Sequence, residues 1–138
     1  MKFTELSKLL KEQNEKGYGF QIHLNTGNLD EKVQRNTDVE FGDLYFTDCM
    51  MLKDTSILAF SNGKRQPISH KDDGTPLYSI DINGGLFINI KKIECIENVE
   101  DCEDWFLTPV TRAVNLYMYP DNNNVDECRN IVTVGFMK

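Results

Sequence analysis

The sequence predicts an α+β fold in which one N-terminal amphipathic helix packs on a strongly bent antiparallel sheet, or on a small β-barrel, of about six to seven strands. Two observations predict it. Apolar residues recur at helical spacing at the N-terminus, and short strand-like segments follow one another between turn residues along the rest of the chain. No composition break, low-complexity run or internal repeat divides residues 1–138, so a single domain is predicted.

The predicted helix occupies the start of the chain. Phe3, Leu6, Leu9 and Leu10 recur at three- and four-residue spacing, while Lys and Glu side chains occupy the opposite face. Gly17 stands where a C-terminal cap is expected, because glycine adopts the left-handed conformation that commonly ends a helix. One apolar stripe therefore faces whatever the helix packs on.

The first strand is predicted directly after this helix. In YGFQIHLN, residues 18–25, apolar residues alternate with small or polar ones. Period two is the pattern of a strand with one buried face. We therefore predict a half-buried strand, with Phe20 and Ile22 on its apolar face and Gln21 and His23 on its polar face.

Four later segments have the composition of strands and are bounded by turn residues. They are GDLYFTDCMML (residues 42–52), ILAF (57–60), VNLYMY (114–119) and RNIVTVGF (129–136). Residues 25–38 stay open between a short helix and an edge strand. Because a curled sheet hides its edges, the bent sheet and the barrel are both kept as predictions.

The segment LYSIDINGGLFINI, residues 77–90, predicts a β-hairpin. A two-residue turn would set Asp81 against Leu86 across the two strands. A three-residue loop, residues 83–85, instead pairs apolar with apolar residues and supplies a glycine where φ must be positive. We predict the longer loop, with Phe87 alone on the polar face. The buried face then comprises Ile80, Ile82, Ile88 and Ile90.

The net charge of −7 comes from the second half of the chain. Residues 1–71 hold ten acids and ten bases, whereas residues 72–138 hold twelve acids and five bases. Because binding to a phosphate backbone depends on Lys and Arg, direct nucleic-acid binding is not expected, whereas a cationic partner fits. No apolar run reaches the ~20 residues of a membrane span, and the N-terminus lacks a secretory pattern. We expect a cytoplasmic protein without membrane association.

No motif predicts catalysis, a cofactor or a metal site. Ser69 and His70 are adjacent, but adjacency does not make a nucleophile and base, because a third group must orient the base. Residues 121–126 match a calcium loop at three positions only. The cysteines are too widely spaced for a zinc knuckle and, without a secretory signal, are expected to be reduced. They are Cys49, Cys95, Cys102 and Cys128. We expect a non-enzymatic protein with no cofactor.

Residues 90–106, IKKIECIENVEDCEDWF, concentrate acidic side chains. Ile90, Ile93 and Ile96 recur every third residue, which predicts a tight turn that keeps them in the core. Six carboxylates within eleven residues then point outward. They form either a solvated edge or a surface that speeds encounter with a basic partner. The predicted contact residues of this stretch are Glu94, Glu97, Glu100, Asp101, Glu103 and Asp104.

Three aromatic residues complete the predicted contact set. If the apolar residues at 114, 116 and 118 face the core, Tyr117 and Tyr119 lie on the opposite face of their strand, as Phe87 does on its own. Tyr and Phe are favoured anchors at protein interfaces. The competing interpretation is that the helix or a loop covers these rings.

Together these features predict a small acidic binding or inhibitor protein that engages a basic protein partner, such as a nucleic-acid-binding protein. An anti-defence factor of a phage or mobile element would fit this description. The alternative is a barrel that binds a small molecule or nucleotide in its mouth, with His23, Lys64, Arg65 or Arg112 as polar contacts. Homo-oligomer formation is left open.

Overall fold

The computed structural model describes residues 1–27, 39–63, 67–77, 85–120 and 129–138, excluding the side chains at positions 48, 50 and 52. These ranges contain one α-helix, nine strands and two short 3₁₀ helices, which confirms the α+β class. The helix α1 is Phe3–Glu15, and the 3₁₀ helices are η1 (Ile90–Lys92) and η2 (Cys102–Trp105). The strands are β1 (Phe20–Gly27), β2 (Phe41–Leu52), β3 (Thr55–Asn62), β4 (Ser69–His70), β5 (Pro76–Leu77), β6 (Gly85–Asn89), β7 (Ile93–Val99), β8 (Arg112–Met118) and β9 (Arg129–Phe136).

The N-terminal helix forms as the apolar spacing predicts. Leu6 and Leu10 are fully buried, and Phe3 and Leu9 pack more loosely against the same core. The backbone N–H of Lys2 donates to the Glu5 carboxylate at 2.9 Å, which satisfies one donor ahead of the first turn. Gly17 follows the last turn with φ 77°, in the left-handed region that its predicted capping role requires.

Seven strands form one sheet in the order β6-β3-β2-β1-β9-β8-β7, and β4 pairs with β5 in a separate two-stranded ladder. All neighbours in the large sheet are antiparallel. Among the described residues, β6 and β7 are the two edges of this sheet and do not pair with each other. The predicted alternative of a closed barrel is therefore wrong for the described strands.

The sheet is nevertheless strongly curved, because its two edge strands are consecutive in the chain. Only η1, three residues long, joins β6 to β7. In a flat sheet, six inter-strand spacings would hold these edges about 29 Å apart. The short connection spans at most about 14 Å. The sheet must curl until the end of β6 meets the start of β7, and α1 covers the apolar side of this curl.

Of the predicted hairpin at residues 77–90, the structure describes Leu77, which ends β5, and residues 85–90. Gly85 has φ 142°, a positive value as predicted, but the 83–84 part of the loop and the positions Ile80 and Ile82 lie outside the described residues. The second arm, β6, pairs with β3. Ile88 is buried and Phe87 exposed, as predicted for their two faces.

The main core lies between α1 and the apolar side of the sheet. Its centre is a cluster of aromatic rings: Phe20 contacts Phe60 and Phe136 edge-to-face at centroid distances of 5.3 and 5.1 Å. The other side of the sheet holds a second apolar cluster, formed by residues Cys102, Phe106, Val110 and Ala113. The sheet is therefore covered on both sides near β1, β9 and β8.

This second layer corrects the prediction that β1 is half-buried. Gln21, His23 and Asn25 are buried although they lie on the polar side of the strand. At the same time Leu24, on the apolar side, is exposed at the end of the curl. Alternation along β1 gave the two faces correctly but not which of them meets solvent.

The acidic stretch is also more regular than predicted. Ile90 does enter a tight turn, η1, and Ile93 and Ile96 do pack on the core. Residues Ile93–Val99, however, continue as the edge strand β7, which pairs with β8. A β-bulge between Ile93 and Cys95 breaks its two-residue alternation.

Candidate functional site

Exposed carboxylates concentrate on β7 and on the segment that follows it. Glu97 lies on β7, and Glu100, Asp101, Glu103 and Asp104 lie on the bend and on η2. All five residues are exposed. Asp101 has φ 52°, a left-handed conformation that Asp and Asn tolerate better than most residues, and it turns the chain into η2. We call these five side chains the acidic surface.

Glu94, the sixth predicted acidic residue, is tied to another strand. Its Oε2 lies 2.6 Å from Nη1 of Arg129 at the start of β9, and both side chains are partly buried. Because this ion pair places a positive charge against the Glu94 carboxylate, Glu94 is left out of the acidic surface.

The three predicted aromatic contacts differ in exposure. Phe87 is exposed on the edge strand β6, and Tyr119 is exposed just after β8, where its N–H donates to the Lys92 carbonyl at 2.7 Å. Tyr117 lies on the predicted face of β8, but it is only 4% exposed, so the predicted exposure of its ring is wrong. Its ring packs beside the polar residues of that face and is not part of an exposed contact surface.

Burial raises the pKa of the Tyr117 hydroxyl above its usual range, and the nearby Glu97 carboxylate raises that pKa further. A hydrogen bond with Asn115 acts in the opposite direction. The folded chain therefore holds this proton more tightly than the unfolded chain, whose tyrosine pKa is about 10.

We expect an alkaline loss of stability that Tyr117 causes in part. Because its folded pKa is raised, its contribution is fully present below a pH of about 10 and is lost as the pH rises through the folded pKa. The free energy of unfolding, measured by urea denaturation between pH about 9 and 11, should fall less steeply in Tyr117→Phe than in the wild type. Equal slopes would show that Tyr117 does not control this loss.

A row of polar residues crosses the sheet beneath the second apolar cluster. In register, His23 on β1 lies opposite Thr133 on β9, Thr133 opposite Asn115 on β8, and Asn115 opposite Glu97 on β7. The Thr133 hydroxyl accepts from Asn25 Nδ2 at 3.0 Å and donates to Asn115 Oδ1 at 2.7 Å. These bonds satisfy groups that would otherwise be costly to bury.

Residues 100–111, which we call the strap, lie over this row. The Phe106 ring stacks on the His23 ring, with a centroid distance of 4.4 Å and an interplanar angle of 29°. Gly135 makes room for it: a Cβ at that position would lie 2.7 Å from the Phe106 ring and 2.8 Å from Val110. At the C-terminal end of the strap, the Thr111 N–H donates to the Phe136 carbonyl at 2.9 Å.

A buried histidine–carboxylate pair lies at the edge of the strap. His23 Nε2 is 2.9 Å from Glu40 Oε1, and the His23 side chain is 0% exposed. Nε2 of His23 contacts Glu40 and the Phe106 ring covers the imidazole, so the pair joins β1 to the residue that precedes β2.

Sequence reasoning did not identify Glu40, and it placed His23 in a barrel mouth. One signal was available. The polar positions of β1, β8 and β9 that are now buried carry Gln, His, Asn and Thr but no Lys, Arg, Asp or Glu. Uncharged polar residues in the middle of several strands indicate a face that is covered and internally hydrogen-bonded.

Within the described ranges, no three His, Cys, Asp or Glu side chains converge as the ligands of a metal ion would. Cys95 and Cys102 are free thiols, and Cys49 Sγ lies 3.9 Å from the Ser7 hydroxyl. Cys128 and the 121–126 loop lie outside the described ranges. The helix in the described part of the chain is not long and apolar enough to cross a membrane.

No family model, curated protein or solved structure is significantly similar to this chain.

Proposed function

We propose that this chain is a non-enzymatic, cytoplasmic binding protein that engages a basic protein partner through its acidic surface. The observation that carries the proposal is the placement of Glu97, Glu100, Asp101, Glu103 and Asp104. Five exposed carboxylates lie within eight residues, on a stretch from position 93 to 111 that contains no Lys or Arg. A field of one sign accelerates encounter with a partner of the opposite sign.

Protection of a sheet edge is the simpler explanation for part of this charge. Charged residues on an edge strand discourage pairing with a second chain, and β7 is an edge of the described sheet. That explanation accounts for Glu97. It does not account for the other four carboxylates, which follow β7 on the strap and have no strand edge to protect.

The sharper form of the proposal is an inhibitor of a nucleic-acid-binding protein, in which carboxylates occupy the groove that binds phosphates. An anti-defence factor of a phage or mobile element would act in this way. The support for this form is the charge distribution, in which basic residues are scarce in the second half of the chain. Competition between the partner's nucleic acid and this chain would distinguish it from binding at another site.

The alternative of a small-molecule or nucleotide site is not favoured by a specific observation. His23 is buried against Glu40 and Phe106 rather than placed at a mouth. Arg112 donates to Asn98 Oδ1 at 2.7 Å. Lys64 and Arg65 lie outside the described residues.

The test compares two variants with the same change in net charge. One neutralises four of the five carboxylates of the acidic surface with the substitutions Glu97→Gln, Glu100→Gln, Asp101→Asn and Glu103→Gln. The control neutralises four exposed carboxylates elsewhere with Glu15→Gln, Asp43→Asn, Asp54→Asn and Asp72→Asn. Asn is used at positions 43, 54 and 101 because all three have positive φ.

We expect both variants to fold with stability within about 1 kcal/mol of the wild type, because exposed charges contribute little. A partner recovered by pull-down at low salt and then purified should associate more slowly with the first variant, and with a weaker dependence on salt. The control should keep both properties. Identical association kinetics for the two folded variants would reject the acidic surface as the contact site. Sedimentation velocity would show whether the first variant self-associates instead.

A further inference from the structure

We propose that Glu40 is a positioning residue that fastens the strap to the sheet and thereby holds the carboxylates of the acidic surface in place. The proposal rests on the proposed function for the meaning of that surface. Four of its five carboxylates, Glu100, Asp101, Glu103 and Asp104, belong to the strap. The position of the strap on the sheet therefore determines where these carboxylates lie.

Both carboxylate oxygens of Glu40 are used, and they contact two different elements. Oε1 accepts from the Leu107 backbone N–H at 2.9 Å and lies 2.9 Å from His23 Nε2 on β1. Oε2 accepts from the Thr108 hydroxyl at 3.1 Å. Glu40 itself precedes β2, so one side chain joins the start of β2, the central strand β1 and the strap. Hydrogen bonds to a charged acceptor are about twice as strong as neutral ones.

The strap is also held by apolar packing and by a backbone hydrogen bond. Its backbone forms a short 3₁₀ helix instead of pairing with a strand, and Leu107 itself is 71% exposed. The side chains of Cys102, Phe106 and Val110 pack on the sheet, and Thr111 anchors the far end through the Phe136 carbonyl. Mutual repulsion of four carboxylates works against a compact turn. Glu40 contacts the strap at Leu107 and Thr108, between the packed side chains of Phe106 and Val110 in the chain.

The test uses Glu40→Ala, with Asp43→Asn as a control that removes one exposed carboxylate nearby. Two measurements report on the strap without any partner: hydrogen exchange of the Leu107 amide, and alkylation of the buried Cys102 thiol followed by peptide mapping. In Glu40→Ala we expect both to become at least about tenfold faster. The Thr111 amide, which Glu40 does not hold, should change little. The control should leave all three unchanged.

The rate of association with a decalysine peptide, used as a basic probe, tests the positioning role of Glu40. If Glu40 only stabilised the fold, its substitution would leave this rate unchanged. We expect association with Glu40→Ala to be about tenfold slower than with the control, although both have lost one charge, because the strap carboxylates are dispersed. Unchanged exchange and alkylation would overturn the proposal. Unchanged association despite a released strap would overturn the positioning role.

Thr108→Val keeps the proposal testable if Glu40→Ala unfolds as a whole, which equal acceleration at Leu107 and Thr111 would reveal. This substitution removes only the hydroxyl that donates to Glu40. Faster Cys102 alkylation with an unchanged Thr111 amide would support the proposal, and no change at Cys102 would overturn it. Because these measurements need no partner, their outcome does not depend on the association kinetics of the variant in which the acidic surface is neutralised.

Discussion

Truncation of Phe20 to Ala is expected to lower the free energy of unfolding by about 3 to 5 kcal/mol. Its ring is 0% exposed and lies at the centre of the main core. It contacts Phe60 on β3 and Phe136 on β9 edge-to-face, so its removal leaves a cavity and deletes two aromatic pairs. Because β1 is the middle strand of the sheet, the neighbouring strands cannot easily collapse into that cavity.

Phe87→Ala is the matched control, since it makes the same substitution on a ring that is 47% exposed on the edge strand β6. We expect it to cost about 1 kcal/mol or less. Urea denaturation followed by circular dichroism would measure both values, and an unchanged slope with denaturant would show that both variants unfold like the wild type. Similar costs for the two variants would contradict the packing described for the main core.

The parts of the fold that local pattern determines were predictable. Helix α1 follows from the spacing of Leu6 and Leu10, and Gly17 ends it as expected. Strands β1, β2, β3, β8 and β9 overlap the segments in which strand-forming residues lie between turn residues. In each case the evidence lies within one element, so a single sequence is enough to find it.

Strand order was not predictable, because it depends on contacts between distant segments. Strands β6 and β7 are separated by three residues yet form opposite edges of the sheet. Nothing in the isoleucines at 90, 93 and 96 indicates which strands their neighbours will pair with. Strand β7 itself was missed because a bulge interrupts its alternation and because exposed Glu residues are uncommon strand formers.

The exposure of most of the predicted contact residues was predictable, but the contacts that their side chains make were not. Exposed Glu97, Glu100, Asp101, Glu103 and Asp104 match the expectation, whereas Glu94 is paired with Arg129 and Tyr117 is buried. These differences have one physical origin. A sequence shows that a face is polar, but only the fold shows whether another segment covers it and supplies hydrogen-bond partners. The strap is that segment, and it is far in sequence from β1.

Truncation of Phe106 to Ala would test this covered polar face most directly. The ring is 9% exposed, stacks on His23 and fits over the bare backbone of Gly135. Its loss should open a cavity at the centre of the second apolar cluster and leave the His23 ring without its cover. We expect the free energy of unfolding to fall by about 3 to 5 kcal/mol, the usual range for a buried Phe.

Leu107→Ala is the control for Phe106→Ala, because it truncates the adjacent apolar side chain, which is 71% exposed. It should cost only about 0.5 kcal/mol, and it retains the backbone N–H that donates to Glu40. Urea denaturation measures both costs. If Phe106→Ala cost no more than Leu107→Ala, the strap would not be packed on the sheet, and the polar row from His23 to Glu97 would have to be accessible to water. A large difference means that the polar side of β1 is a second core, stabilised by a segment that also carries the charge of the acidic surface.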